Sequence, residues 1–228
     1  MKILLIILSF VLLGAISVTA IAKDKVELPE YTVEGLKRVP HPKDLAIVYA
    51  EPGADLSQYK RIFLVEPYVA FKKNWQRDQN RSASMKVKTS DMDRIKVNVK
   101  DLFMEVFTKE LEKGGYELAD ERAADVLIVK PAIINLDVNA PDVRTAGRTN
   151  TFTSHAGSMT LYIELFDSET DDLIAKALDP KADRDRGMMQ WQTTVANRQA
   201  GMRMMQPWAE ALRKGLDRAK EITPQEEK

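Results

Sequence analysis

The sequence predicts an α+β protein: a single two-layer domain with a mainly antiparallel sheet and two principal helices on one face. Apolar runs with period-two alternation indicate strands, and two long segments with apolar residues three and four positions apart indicate helices. Their order is strand, helix, short strand, long strand, hairpin, helix. Sequential strands that pair antiparallel, with helices packed on one side, produce this architecture.

The most regular stretch is Met159–Asp179, which is typical of two strands joined by a polar turn. Apolar residues alternate along the first strand, so one of its faces is expected to be buried. Asp167–Asp172 provides the turn, and Leu173–Leu178 provides the second strand. The turn is rich in carboxylates, but it lacks the ligand spacing, central glycine and final glutamate of an EF-hand. We therefore expect a solvated turn there and no metal site.

A strand and a helix are expected upstream of this hairpin. Arg61–Val69 is continuously apolar at its centre, and Pro67 predicts that strand pairing ends or bulges there. Ser90–Lys113 has the spacing of an amphipathic helix, with Ser90 as the N-cap and Asp93 in the capping-box position. Gly114–Gly115 is expected to end the helix, because glycine adopts left-handed backbone angles without strain.

Two further long elements each contain a proline. Asp125–Asn139 is typical of an extended strand, and Pro131 predicts an edge position or a bulge because proline donates no hydrogen bond to a ladder. Gln190–Lys220 is predicted to be helical. There Pro207 predicts either a kink or a break, after which it would open a second helix.

The amino terminus has the pattern of an export signal. A basic start precedes Ile3–Ala22, which carries no charge, and small residues suit cleavage after Ala22 or, alternatively, after Ala20. An uncleaved inner-membrane anchor formed by residues 3–22 is the alternative. The expected divisions are a signal peptide at 1–22, an extended polar lead-in at 23–44, a single α+β domain at 45–222 and a flexible tail at 223–228.

Composition excludes several classes of function. The chain has no cysteine, so it has no disulfide, thiol nucleophile, cysteine metal site or lipid-accepting residue. Equal numbers of acidic and basic residues in the chain as a whole argue against nucleic-acid binding. An exported chain of this length without disulfides has to rely on its hydrophobic core for stability.

Two long polar segments are the candidate recognition regions. Phe71–Thr89 is basic and carries aromatic residues, and Ala140–Gly157 is rich in hydroxyl, amide and basic side chains. Loops of this length are often functional. The alternative for the first segment is a surface excursion with its tryptophan packed onto the domain. The possible recognition residues are Trp75, Arg77, Arg81, Arg144 and Arg148.

Catalytic motifs are absent from the sequence. Ser154 and His155 are adjacent in the second polar segment and are the only weak catalytic candidates. The chain has no nucleophile elbow, P-loop, dinucleotide fingerprint or H-E-x-x-H motif. We therefore expect no cofactor and no metal.

Several long segments carry a family resemblance. They include LSQYKRIFLVEPYVAFKKNWQRDQNR, DMDRIKVNVKDLFMEVFTKELEKGGYEL, ADVLIVKPAIINLDVNAPD and MTLYIELFDSETDDLIAKALD. With these segments the mature chain resembles domain-of-unknown-function family 3313, a group of uncharacterised exported bacterial envelope proteins that are often lipoprotein-like. The resemblance implies an exported single domain and assigns no reaction. This chain departs from the family in having no lipid-accepting cysteine, and in having Asp171 where a turn glycine is usual.

These observations favour a non-catalytic periplasmic protein that binds or helps to assemble another envelope protein or envelope component. One alternative is a periplasmic hydrolase that uses the Ser154/His155 loop. Another is a membrane-surface protein that uses the basic segment Lys72–Lys88. No lipid anchor is expected, and apart from that alternative, membrane contact is expected only if the signal stays uncleaved.

Overall fold

A computed structural model describes residues 27–82, 86–139, 151–153, 157–183, 190–192 and 194–222. These residues form an α+β arrangement in which a large sheet carries two long helices. The elements in chain order are β1 Lys37–Arg38, β2 Ile47–Ala50, β3 Arg61–Leu64, β4 Tyr68–Phe71, α1 Trp75–Ser82, α2 Thr89–Lys113, β5 Glu117–Leu118, β6 Val126–Val138, β7 Thr151–Thr153, β8 Gly157–Asp167, β9 Leu173–Ala182, β10 Gln190–Gln192 and α3 Thr194–Ile222.

The main sheet has eight strands and is mixed rather than purely antiparallel. Its order is β1-β2-β9-β8-β6-β3-β5, and β4 pairs with β6 beyond the end of β3. The β1–β2, β2–β9, β9–β8 and β8–β6 pairs are antiparallel, whereas β3 and β4 run parallel to β6. The predicted hairpin, β8–β9, therefore lies at the centre of the sheet, and it continues to Ala182, three residues beyond the expected end.

The central strand β6 corrects one expectation. Pro131 does not mark an edge strand, because β6 pairs with β8 on one side and with β3 and β4 on the other. The Val129 carbonyl accepts a hydrogen bond from the Val65 N–H at 2.9 Å, so Pro131, two residues later, faces the same side. On that side of β6, the neighbouring chain passes through Pro67 between the end of β3 and the start of β4. Pro131, which has no N–H to donate, thus faces a gap in the strand pairing, and the break predicted at Pro67 is confirmed.

Helix α2 is anchored by its carboxyl-terminal half. Phe103 and Phe107 are fully buried and stacked, with ring centroids 3.8 Å apart. The N-cap is Lys88 instead of the expected Ser90, because the Asp91 carboxylate accepts the Lys88 N–H at 3.0 Å. The predicted stop is confirmed: Gly115 has a φ of 80°, and its N–H and that of the next residue bond back to the last turn.

Helix α3 covers the sheet beside α2. It runs without a break through Pro207, so the expectation of a second helix opening there is wrong. Its first predicted residues instead form β10, which pairs antiparallel with β7 in a separate two-stranded sheet. Trp208, Met205 and Ala209 are fully buried against the core. No helix in the described ranges is long and apolar enough to cross a bilayer.

Two polar segments hold more structure than their sequence indicates. The basic segment after β4 contains the short helix α1, and the expected lead-in contributes β1 at the edge of the sheet. Leu36, next to β1, is 2% exposed. Both cases depend on tertiary burial, which outweighs the weak local propensity of a polar sequence.

Candidate functional site

A cleft of about 320 Å³ opens between α2 and α3 above the ends of β6 and β8. We call it the helix groove. Its lining includes Val138 and Gly157, which lie at the two ends of the polar segment that the sequence marks as a recognition region. Its described lining is Arg94, Ile95, Asn98, Val99, Asp101, Leu102, Leu136, Asp137, Val138, Gly157, Ser158, Met159, Asn197, Arg198, Ala200, Gly201, Met204 and Met205.

The floor and walls of the helix groove are mostly apolar. Leu136 and Met159 form the sheet side, and both are buried. On α2, Ile95 and Val99 are only partly buried, whereas most apolar residues of the carboxyl-terminal half are buried. The apolar stripe of α2 therefore extends beyond the part of the helix that the domain covers, and the groove lies along this extension.

Two glycines shape the groove. A Cβ on Gly201 would lie 2.7 Å from the Leu102 side chain, so glycine allows α3 to approach α2 closely. A Cβ on Gly157 would lie 1.9 Å from the Asp137 carbonyl oxygen, and its φ of 149° also favours glycine. Gly157 follows a bulge in the β6–β8 pairing. Any side chain at Gly157 would displace the sheet floor of the groove.

Charged residues surround the apolar floor, and three of them are held in ion pairs with other parts of the protein. Arg94 pairs with Asp91 at 3.0 Å, Asp137 pairs with Lys72 at 3.1 Å, and Arg198 pairs with Glu105. Ligand sites commonly combine an apolar interior with a few polar groups that orient the ligand. The groove has this composition and a volume at the lower end of the range for small-molecule sites.

A second cleft of about 420 Å³ lies beside β4 and α1, on the other side of the α2 amino-terminal half. We call it the cationic groove, because Lys72, Arg77 and Lys96 line it and no carboxylate appears in its described lining. Tyr68 also lines it and is 67% exposed, an unusual exposure for an aromatic residue in this protein.

Trp75 separates the two grooves as a packed residue. It is 3% exposed, its ring stacks on Phe71 with centroids 4.2 Å apart, and its Nε1–H donates to the Val138 carbonyl at 3.2 Å. This placement favours the packing alternative for Trp75 and leaves little of its ring accessible for recognition. In contrast, Arg77 and Arg81 are exposed on α1 and share one carboxylate, Asp78.

The remaining sequence candidates lie outside the described residues. Ser154 and His155 do, so the hydrolase alternative stays a prediction. Arg144 and Arg148 also do, as do the signal residues 1–22. Within the described ranges, no group of three His, Cys, Asp or Glu side chains is placed to hold a metal ion.

Glu110, at the interface of the two long helices, has a shifted carboxyl pKa and a structural role. Glu110 of α2 is 3% exposed and accepts hydrogen bonds from Arg213 at 2.8 Å and Gln206 at 3.1 Å. Burial opposes its ionisation, but the Arg213 bond and the Lys113 and Arg213 charges outweigh burial and lower the pKa of Glu110. This network joins α2 to α3 and does not line either groove.

The hairpin turn holds a second polar cluster. The Tyr59 hydroxyl donates to Asp167 at 2.6 Å, and the same carboxylate accepts the Glu169 and Thr170 N–H groups at 2.8 Å. The Tyr59 bond and then the backbone bonds lower the pKa of Asp167. Burial and the Asp167 bond raise the pKa of Tyr59 to about 12. Asp167 thus holds the turn through its bonds to Tyr59, Glu169 and Thr170.

Sequence reasoning missed the helix groove as a site, whereas it marked the segment Phe71–Thr89, which lines part of the cationic groove. For the helix groove the available signal was the length of the apolar stripe on the predicted helix Ser90–Lys113. Gly201, within an otherwise helical pattern, was a second signal, because an interior helix glycine often marks a close approach.

Solved structures with a related arrangement have low sequence identity. The PelC dodecamer from Paraburkholderia phytofirmans is 11% identical with a TM-score of 0.37, and the match covers 73% of this chain and 96% of that chain. XCC0632 from Xanthomonas campestris, of the DUF330 family, is 13% identical with a TM-score of 0.37, covering 73% and 91%. The DUF4136 family protein BT2437 from Bacteroides thetaiotaomicron is 9% identical with a TM-score of 0.34, covering 76% and 95%. At these TM-scores the similarities carry no argument about function.

No curated protein compared with the chain matches it. The model of one family does match, over residues 27–210, which include both grooves, the main sheet, α2 and the first part of α3. The resemblance found in the sequence is therefore confirmed, and the chain belongs to the DUF3313 family, described as proteins of unknown function.

Proposed function

We propose that this is an exported, non-catalytic envelope protein that binds the apolar part of an amphipathic envelope ligand in the helix groove. The observation that carries the proposal is the partly uncovered apolar half of α2 facing a cleft with an apolar floor. Burying apolar surface is the main favourable term in binding, and this stripe has such surface available. The uncharged segment Ile3–Ala22 after a basic start supports the export part of the proposal.

The size of the groove favours a small amphipathic ligand over a docked protein helix. About 320 Å³ matches the lower range of small-molecule clefts, whereas a standard protein interface buries a much larger, flatter surface. Met204 and Met205 line the groove, and flexible thioether side chains adapt to chains of varied shape. The polar groups at the rim, Arg94 and Asn98 among them, lie where a ligand's polar end would emerge.

A matched pair of α2 variants tests this proposal. Val99 lines the helix groove, and Val97 on the same helix is 53% exposed and lies outside the described lining. Val99→Phe should fill the groove and weaken binding of the fluorescent amphiphile dansyl-undecanoate about tenfold, which corresponds to excluding roughly two methylenes from burial. Val97→Phe adds the same ring to the helix and should leave the affinity within about twofold of the wild type.

Fluorescence titration of the three proteins, with unfolding curves to show that each is folded, decides the matter. No saturable probe binding by the wild type, or equal affinities for the two phenylalanine variants and the wild type, would refute the proposal. Equal weakening by both variants would also refute it, because the effect would then not depend on the groove.

A further inference from the structure

We propose that the cationic groove is a second binding surface, which docks on the phosphate headgroups of an anionic phospholipid bilayer. The proposal is independent of the helix groove, because it rests on a different set of side chains. It requires that the cations of this face be accessible, that carboxylates neutralise them incompletely, and that the groove have a form suited to a lipid surface.

The cations gather from three elements. Lys72 follows β4, Arg77 belongs to α1, and Lys96 belongs to α2, yet all three line one cleft. Lys72 and Arg77 are exposed, with side chains 60% and 64% accessible. Lys73, next in sequence to Lys72, is also exposed. Folding thus concentrates positive charge on one face from parts of the chain that are up to 24 residues apart.

Carboxylates neutralise this charge only in part. Residues 68–96 contain eight Lys and Arg but only three Asp and no Glu, a net charge of +5 in a chain whose formal charge is zero. Asp78 is shared between Arg77 and Arg81, with N–O distances of 3.3 and 3.8 Å, and Asp137, outside this range, pairs with Lys72 at 3.1 Å. Among the described residues, neither Lys73 nor Lys96 has a carboxylate within ion-pair distance.

The form of the groove favours a lipid surface over a specific anionic molecule. Lys72 and Arg77 stand on long, exposed side chains, Lys96 is half-buried, and the buried Trp75 uses its N–H on the protein backbone. Such an arrangement supplies a diffuse positive field, which suits the phosphates of a leaflet better than the fixed hydrogen-bond geometry of one ligand. Tyr68, 67% exposed at the rim, is an aromatic residue with a polar tip, as enriched at membrane–water interfaces.

The attraction should depend strongly on salt. Exposed charges are screened over about 8 Å at physiological ionic strength and over about 30 Å at 0.01 M. Each Lys or Arg close to an anionic leaflet contributes roughly fivefold to the partition coefficient at 25 °C. Removal of three cations is therefore expected to reduce partitioning roughly a hundredfold.

The test is co-sedimentation with phosphatidylcholine vesicles, with and without phosphatidylglycerol, of protein purified with the amino terminus that the cell leaves on it. The test variant carries Lys73→Gln, Arg77→Gln and Lys96→Gln. The matched control removes the same charge from exposed lysines outside the cationic groove, through Lys43→Gln, Lys60→Gln and Lys109→Gln. All proteins share the same amino terminus, so any contribution from that segment cancels in the comparison.

We expect the wild type to bind only the anionic vesicles, at low salt, with binding lost in high salt. The test variant should partition about a hundredfold more weakly, and the control should lose less than about fivefold. Absence of wild-type binding at low salt, equal losses in both variants, or binding to soluble polyglutamate without vesicle binding would each overturn the proposal. Dansyl-undecanoate affinity should be unchanged in the test variant, so failure here is distinguishable from failure of the helix-groove proposal.

Discussion

Asp179 is predicted to be a major stabilising residue, and Asp179→Asn is the substitution that tests this. Its carboxylate lies on β9 and is 6% exposed. One oxygen accepts the Ala46 N–H at 2.7 Å, and the other accepts the Trp208 Nε1–H at 2.6 Å and Lys181 Nζ at 3.0 Å. Through these contacts Asp179 ties the chain before β2 and helix α3 to the centre of the sheet.

The magnitude follows from the number of acceptors. Asparagine has one acceptor oxygen where aspartate has two. In D179N the amide NH2 group must therefore face a donor, which is either the Ala46 N–H or the Trp208 indole N–H, and that donor loses its acceptor. Losing a hydrogen bond to a charged group costs about 1.5–3 kcal/mol, and leaving a buried donor unsatisfied costs about 1–3 kcal/mol. These costs overlap, because both describe the same broken contact. We therefore expect a loss of about 1.5–3 kcal/mol in the free energy of unfolding.

Urea unfolding followed by tryptophan fluorescence measures this loss. Asp172→Asn in the exposed hairpin turn is the matched control, expected to change stability by less than about 0.5 kcal/mol. The slope of free energy against urea should be the same in both variants, since the folded area is unchanged. A loss below about 1 kcal/mol for D179N, or equal losses in the two variants, would refute the reasoning.

Three further predictions concern the sheet and its central turn. Gly157→Ala should destabilise the fold by about 3 kcal/mol or more in urea unfolding, because its Cβ would overlap a backbone oxygen of β6, whereas Gly53→Ala, with open space around it, should cost only about 1–2 kcal/mol. The pKa of Asp167 is lowered in the folded state, so its stabilising contribution is complete above the pKa of an unfolded aspartate and stability should fall below about pH 4. The pKa of Tyr59 is raised to about 12, so stability should fall again above pH 10, where the tyrosine of the unfolded chain ionises first. Tyr59→Phe should flatten both ends of this pH profile. Asp171→Ala should lower the melting temperature more than Asp171→Gly, because residue 171 has a φ of 59°.

Elements with strong local signals were predictable from the sequence. The β8–β9 hairpin depends on period-two alternation on both sides of a polar turn, and the structure confirms it. The end of α2 depends on a glycine pair, whose second member has the required left-handed backbone. Asp171 likewise has the left-handed φ expected of a residue that replaces a turn glycine. In each case, a few neighbouring residues determine the geometry.

Features that depend on distant parts of the chain were not predictable. The parallel pairing of β3 with β6 joins segments separated by two helices, and no local pattern specifies it. Helix α1 is too polar to have a clear apolar face, and the burial of Trp75 at its start anchors it. The helix groove depends on Gly157 and Gly201, and their close approaches exist only after α2, α3 and the sheet have assembled.

The order of strands in the sheet has a consequence for biogenesis. Strand β2 is one of the earliest elements of the chain, yet its neighbour is β9, and the Ala46–Asp179 bond joins residues 133 positions apart. A chain exported amino terminus first would deliver β2 long before its partner. Because closing such long-range pairs is slow, the leading part would stay extended until β9 arrives. If the chain is exported as proposed, the topology that places β2 between β1 and β9 in the finished sheet would thus help to keep the leading part extended during translocation.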